Sequence, residues 1–394
     1  MKKYLTDIDG VFASAIASGI KKSKPDLGVL YVPGAVACAG VFTQHLFSAS
    51  SVKYTRKCLK RHTLKAVIIN SGNANAVTGK QGDEDTKTMA VETAKLLNLS
   101  PSEVGVASTG IIGVSLPMSK ILKALPKVCQ KESLNNGQEL ASAILTTDLT
   151  EKVTFKEAKI GKKTIQVSGI TKGSGMIAPN MATTLGFLVT NVNVSQVVLQ
   201  RCLKHAIDRS YNMLSVDTDT STNDMVLCFA TGAYAINEQD HEQMKAFQNL
   251  LNEACIDLAK QIAKDGEGAT KLIEVHVKHA PRYSDAKQIA KQVIDSPLVK
   301  TAIHGEDPNW GRLIMAIGKN ETIKLNPNKV HVMIGDKLIV ENGLPTKIER
   351  AVLKKELKKN TILITVDCTI GKSNATAWGC DLTKGYIDIN TDYN

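Results

Sequence analysis

A threonine follows a small residue at Ala182-Thr183, where the glycine- and proline-broken segment that starts Lys172-Gly173-Ser174-Gly175-Met176 runs into the apolar stretch Leu185 to Val189. These residue types in this order permit a chain to cut itself. Thr183 Oγ attacks the carbonyl carbon of Ala182, the peptide becomes an ester, and hydrolysis leaves Thr183 heading a new chain. Such a threonine holds nucleophile and base together, because a free α-amine has a reference pKa of roughly 7.7–8.0 and is partly deprotonated at neutral pH. Taken as a bare dipeptide, Thr183-Thr184 reads instead as two β-forming residues opening a strand.

A second constellation lies at Ser108-Thr109-Gly110, directly after the strand-like Val104–Ala107. The glycines at 110 and 113 allow backbone N–H groups to point at one spot, as a tetrahedral oxyanion requires. One such donor is worth roughly 2.7–4 kcal/mol of barrier. By spacing alone the segment also reads as an ordinary turn after a strand. Two phosphate-loop lookalikes fail: Gly72 and Gly79 are separated by six residues where a Walker loop has four, and Gly371-Lys372-Ser373 has Val366 where the first glycine belongs. Gly173-Ser174-Gly175 lacks the third glycine of a dinucleotide fingerprint and is read as flexible backbone that lets the scissile bond bend.

The elements that must position these groups follow from apolar periodicity. Strand-like runs occur at Leu27–Val32, Lys65–Asn70, Val104–Ala107, Thr164–Val167, Leu185–Val189, Met225–Ala230, Leu272–Val277, Val330–Ile334 and Ile362–Val366. Helical spacing marks Asp83–Leu97, Ser119–Val128, Glu139–Leu145, Ser195–Ser210, Asp240–Lys264, Ser284–Ile294 and Lys347–Lys358. In the longest of these, Met244, Phe247, Leu251, Cys255, Leu258 and Ile262 form one core-facing stripe. Helices and strands mixed throughout predict an α/β or α+β body with helices covering sheets. No repeat or linker marks a boundary, so the expected division is chemical: residues 1–182 before the cut and 183–394 after it, sharing one core.

The 394 residues are 43% hydrophobic, enough for a large core, and the formal charge is +11. A basic surface favours nucleic acid. Against a basic nucleic-acid-binding protein stand an aromatic content of 4%, lysines spread along the chain, and no recognition motif. The eight cysteines form no CxxC pair, and His276 and His279 fall on opposite faces of a continuing strand, so no metal site is expected. Met1-Lys2-Lys3 leads into no apolar signal region and no run reaches the ~18 residues of a membrane span, so the expected location is cytoplasmic with no membrane partner.

Lys172 to Leu185 resembles the self-processing site of the ornithine acetyltransferase family of arginine biosynthesis, also called the glutamate N-acetyltransferases. Further stretches similar to that family follow in its order: Ala39–Thr43, Asn70–Ala76, Ser108–Gly113, Thr146-Thr147-Asp148, Asp217–Asp224, Gly266–Lys271 and Gly305–Arg312. The resemblance implies a layered sandwich of helices and sheets, with Thr109 (hydroxyl) and Gly110 (N–H) as the oxyanion hole. It implies substrate-binding roles for Thr146, Lys172, Thr183, Glu267 and Asn390. Lys172 would meet the carboxylate of an N-acetylated amino acid and Glu267 the side-chain ammonium of ornithine, though a solvated Glu267 is the plainer alternative. Family chains usually carry a hydroxyl residue a few positions beyond the asparagine that Asn390 matches, whereas this sequence stops at Asn394, so either the chain is truncated here or that contact is replaced. His304, beside Gly305-Glu306-Asp307, is given no catalytic role.

The implied activity is ping-pong transfer of acetyl from N2-acetylornithine to glutamate through an acetyl-Thr183 ester, with no metal or organic cofactor and with acetyl-CoA as an alternative donor. Two α and two β chains would assemble as a heterotetramer. An N-terminal-nucleophile amidase or aminopeptidase of related fold is the rival that keeps the cut but passes the acyl group to water.

Overall fold

Valine, isoleucine and leucine at both parities of a run mark a strand covered on both faces, and Leu185–Val189 is the clearest such run. The computed structural model describes residues 2–130, 134–178, 184–319, 323 and 325–391, which fall into two compact units. One comprises Met1–Gly173, Pro179–Asn212 and Thr220–Leu258; the other Ser174–Ala178, Met213–Asp219 and Ala259–Asn394.

The first unit holds two sheets. In the four-stranded sheet β1 (Phe12–Ile16), β2 (Leu27–Tyr31), β4 (Ala66–Asn73) and β5 (Val104–Ile111) lie in that order. The five-stranded sheet runs β3 (Ala37–Phe42), β10 (Met225–Ala235), β8 (Leu185–Asn193), β7 (Lys163–Lys172), β6 (Lys152–Ile160). Leu30, Val67, Ile69 and Ala107 of the first sheet meet Ile170, Phe187, Val189, Leu227 and Phe229 of the second in one buried cluster. Truncating a phenylalanine such as Phe187 there to alanine costs roughly 3–5 kcal/mol. On the outer face of the four-stranded sheet, Val29, Ile68 and Val106 pack under Met89 and Ala94 of α2 (Gly79–Leu97) and Ile121 and Leu125 of α3 (Met118–Val128). α1 (Ser50–Leu59) lies against β5 and α4 (Gly137–Ala143) against β1.

The outer face of the five-stranded sheet is covered by α5 (Gln196–Asp208) and α6 (His241–Lys264). Leu258 of α6 sits over Gly169, where an added Cβ would come within 3.0 Å of it. The unit is therefore layered helix, sheet, sheet, helix, the sandwich that the resemblance implied. The α6 stripe is buried at Phe247, Leu251, Cys255, Leu258 and Ile262.

β8 is buried along its whole length except Asn193, parallel to β10 and antiparallel to β7. Leu185 is the partner of both Lys172 and Met225, so the chain emerging at Thr184 is fixed at once: Met225 N–H donates to its carbonyl at 2.9 Å. At the opposite edge, β3 is closed by side chains. Gln196 accepts the Cys38 N–H at 2.9 Å and donates to the Cys38 carbonyl, and Gln200 does the same for Gly40 at 3.1 and 3.0 Å.

The second unit is built on one seven-stranded sheet, ordered β14 (Leu344–Pro345), β13 (Lys337–Glu341), β12 (His331–Ile334), β15 (Thr361–Asp367), β11 (Leu272–Ala280), β16 (Ser373–Cys380), β9 (Leu214–Ser215). α7 (Tyr283–Ile294) lies on β11 and β16 and packs on α8 (Pro297–His304) and α9 (Gly311–Gly318). α10 (Arg350–Leu357) precedes β15, and α11 (Lys384–Thr391) is the last helix among the described residues. His276 pairs with Glu274, whereas His279, at a shift in strand register with φ +54, pairs with Asp367. All eight cysteines are buried free thiols, and among the described residues no helix is long and apolar enough to cross a membrane.

Candidate active site

β4 and β5 run parallel, and their ends are forced together at glycines. A Cβ on Gly110, whose φ is +135, would lie 2.3 Å from the Gly72 carbonyl carbon and 2.4 Å from Asn73 N. No other residue fits there. Asn223 Nδ2 ties the same end down from β10's side by donating to the carbonyls of Ser108 and Ala74 at 2.8 and 2.6 Å. Thr109 is nearly buried, and its hydroxyl oxygen accepts from Lys172 Nζ at 3.5 Å. Lys172 reaches it from the last position of β7.

Behind this pair stands Asp148, a residue whose stretch Thr146-Thr147-Asp148 is legible in the sequence but whose role is not. Its carboxylate receives Lys152 Nζ at 2.7 Å, the Gly173 N–H at 2.7 Å and the Thr146 N–H at 3.0 Å, with Lys172 Nζ 4.0 Å away. Burial alone would raise its pKa, but the charges of Lys172 and Lys152 and the hydrogen bonds outweigh that and hold the carboxyl well below the usual range. Asp148 thereby fixes the backbone at Thr146 and at Gly173 and keeps a negative charge beside the Lys172 ammonium. Lys21 lies near the same charges. Burial lowers its pKa to about 8, opposed by Asp26.

Asp224, at the mouth of β10, shares this electrostatic neighbourhood. Burial pushes its carboxyl well above the usual range, against the pull of Ser221 and Lys172, and its Oδ2 has no hydrogen-bond partner among the described residues.

Thr109, Gly110, Thr146 and Lys172 are thus brought together in the first unit. Glu267 and Asn390 are brought together in the second, where Asn390 Nδ2 donates to Glu267 Oε2 at 2.9 Å. Glu267 is buried, and its carboxylate occupies the space that a side chain at Gly175 would need: a Cβ there would stand 2.3 Å from Oε2. Gly268, at φ +67, leaves room for the Tyr386 backbone N, and Thr383 Oγ1 donates to its carbonyl at 2.7 Å. Burial, followed by the charges of Asp217 and Glu267, raises the Tyr386 phenol to about 12, so it remains a donor at neutral pH. His304 Nδ1 meets Asp381 at 3.1 Å, and Glu306 pairs with Lys271 at 3.1 Å, both within the second unit.

The expectation of freely bending backbone at Gly173-Ser174-Gly175 is corrected. Gly173 N–H is held by Asp148, Ser174 Oγ donates to the Asp265 carbonyl at 2.7 Å, and the Ser174 carbonyl accepts the Glu267 N–H at 3.0 Å. Gly175 is there to make room for a carboxylate rather than to supply flexibility. Just beyond it, Asp217 accepts the N–H groups of Met176 at 2.6 Å and Ile177 at 2.8 Å. The junction residues themselves, Ala182 and Thr183, lie outside the described residues.

The profile of the ArgJ family matches residues 12–394. A protein of Bacillus thuringiensis subsp. konkukian named arginine biosynthesis bifunctional protein ArgJ is 42% identical over 387 residues, 98% of this chain and 95% of that protein. One of the same name from Oceanobacillus iheyensis is 43% identical over 393 residues, 99% of this chain and 96% of the other. Among solved structures, the arginine biosynthesis bifunctional protein argJ of Bacillus halodurans is 40% identical with a TM-score of 0.50, covering 52% of this chain and 97% of the crystallised one.

Proposed function

This chain belongs to the ArgJ family and is an acetyltransferase of arginine biosynthesis, and we propose that it moves an acetyl group from N2-acetylornithine to glutamate through Thr183 after cutting its own Ala182–Thr183 bond. In the cut, Thr183 Oγ bonds to the Ala182 carbonyl carbon, the hydroxyl proton passes to the departing Thr183 nitrogen, and the C–N bond breaks. Water then splits the ester, leaving a carboxylate on Ala182 and restoring the hydroxyl. The α chain is residues 1–182 and the β chain residues 183–394. Support for a divided chain comes from the Bacillus halodurans structure, in which 52% of this chain suffices to cover 97% of the crystallised one.

In turnover the same Oγ attacks the acetyl carbonyl carbon, with the α-amine of Thr183 taking the hydroxyl proton and passing it to the leaving nitrogen of ornithine. Glutamate's α-amine then attacks the acetyl ester carbonyl carbon, the bond from that carbon to Oγ breaks, and a proton from the attacking amine restores the Thr183 hydroxyl. The observation that carries this reading is the juxtaposition of Thr109 and Lys172 at 3.5 Å beside a strand end that only Gly110 can occupy. A hydroxyl and backbone N–H held in advance stabilise the oxyanion, and a fixed ammonium meets the substrate carboxylate. Thr146 is a further substrate-binding residue, Glu267 takes the ornithine side-chain ammonium, and Asn390 is a substrate-binding residue that donates to Glu267. Each step uses only protein groups, so neither metal nor organic cofactor is required. The word "bifunctional" in the relatives' names supports a second activity, for which acetyl-CoA as donor to glutamate is our reading. Two α and two β chains in the cytoplasm complete the proposal.

Labelled N2-acetylornithine with and without glutamate, combined with intact mass, tests it. Expected are two polypeptides of 182 and 212 residues (394 − 182) and label transfer that needs the amine acceptor. Acetate release at the same rate without glutamate would make the protein a hydrolase instead.

A further inference from the structure

The stretch just before the junction is held with more care than a connecting loop needs. Met176 has φ +55, a left-handed backbone that a residue with a side chain adopts only when its surroundings impose it. Asp217 does the imposing. Oδ2 accepts the Met176 N–H at 2.6 Å and Oδ1 accepts the Ile177 N–H at 2.8 Å, and Oδ1 also takes the Asp219 N–H at 3.1 Å. The next residue back completes the grip, because the Val216 N–H donates to the Ile177 carbonyl at 2.7 Å. Both sides of Ile177's backbone are therefore occupied, and its side chain is buried. Nothing in the acetyl-transfer chemistry derived above uses Asp217.

We propose that Asp217 is a positioning residue for the chain's self-cleavage: its carboxylate clamps the Met176–Ile177 backbone and so fixes the upstream arm of the Ala182–Thr183 junction, as β8 fixes the downstream arm at Thr184. The inference rests on the cleavage proposed above. Attack of Thr183 Oγ on a carbonyl of its own backbone requires that carbonyl to be presented at bonding distance, and each loosely held residue on either side lowers the fraction of time this is so. A carboxylate that takes two successive amides at once restricts the arm more than either bond alone, and charge-assisted bonds of this length are the strong ones. The clamp has done its work once the bond is cut.

The test follows the uncut and cut forms of full-length wild type and Asp217→Asn over time by intact mass. An asparagine keeps the size but offers one acceptor oxygen, with an N–H donor facing the other amide. Cleavage should slow by about tenfold or more, while the turnover of molecules that have been cut stays within about twofold of wild type. Met176→Gly in the Asp217→Asn background should recover part of the rate, because glycine takes the left-handed backbone unaided. Cleavage of Asp217→Asn at the wild-type rate overturns the proposal, as does lost turnover with normal cleavage, which would assign Asp217 to acetyl transfer. A wild type that is never cut instead removes the parent reading, whatever the variant does. Independently of how the variant folds, the Met176 and Ile177 amides in the Thr183→Ala chain should be protected from hydrogen exchange. Exchange at the rate of an unstructured peptide would also overturn the clamp.

Discussion

Lys152 and Asp148 form an ion pair at 2.7 Å with both side chains withdrawn entirely from solvent. Lys152 opens β6 opposite Thr171 of β7, next to Lys172 and to Gly173, whose N–H the same carboxylate accepts. Removing one member of a buried pair strands the other charge, at a cost of roughly 3–5 kcal/mol. For Lys152→Met the lower end, about 3 kcal/mol, is expected because Lys172 and two N–H groups still face Asp148. Urea unfolding checks this, and an unchanged midpoint would contradict it.

Asp148 also predicts a pH dependence. Its carboxyl is held below its unfolded value, so the stability it contributes is complete above the unfolded pKa of about 3.9 and is lost as pH falls from there through the folded pKa. Asp148→Asn should therefore unfold at lower urea than wild type at neutral pH, with the gap closing below about pH 4. A gap that widens on acidification would reverse the assigned sign.

At Gly110 the prediction concerns catalysis. Alanine there would push against the Gly72 and Asn73 backbone and strain a φ of +135, displacing the strand end that carries Thr109. A displacement near 1 Å costs on the order of 100-fold in rate. Gly110→Ala should lose about that much kcat, with KM for N2-acetylornithine changed far less. A raised KM with unchanged kcat would place Gly110 in substrate binding alone.

Thr183→Ala should yield one uncut chain of 394 residues with no transferase activity. Thr183→Ser should cut and turn over more weakly, because its hydroxyl performs the chemistry but the restraint of the β-methyl on χ1 is lost. Electrophoresis under denaturing conditions reads the first, and the acetyl-transfer assay the second. An active, uncut Thr183→Ala protein would end the mechanism.

The strands legible in the sequence were those whose side chains are large and apolar. Leu185–Asn193, Ala66–Asn73 and Thr361–Asp367 overlap the runs that announce them, with ends shifted by a few residues. Among the missed strands, Ala37–Phe42 and Ser373–Cys380 are rich in small residues, Lys152–Ile160 carries charged residues and grows exposed along its second half, and Lys337–Glu341 holds only three apolar residues between charges. Helix Ser50–Leu59 escaped because polar residues such as Ser51 and Thr55 form part of its buried side. Of the proposed site residues, Thr109, Gly110, Lys172 and Glu267 could be named from matched stretches. Asp148 and Asp217 could not be given roles, since each acts through backbone groups that are distant in sequence and meet only when the strands have paired.

The two glutamines along α5 have a consequence for solubility. A free strand edge invites other polypeptides to add themselves to it. At Cys38 and Gly40 the outward amide groups are already engaged by Gln196 and Gln200, so an intruding segment would have to evict two side chains before gaining its first bonds. The helix that covers one sheet face thereby also guards that sheet's rim against aggregation.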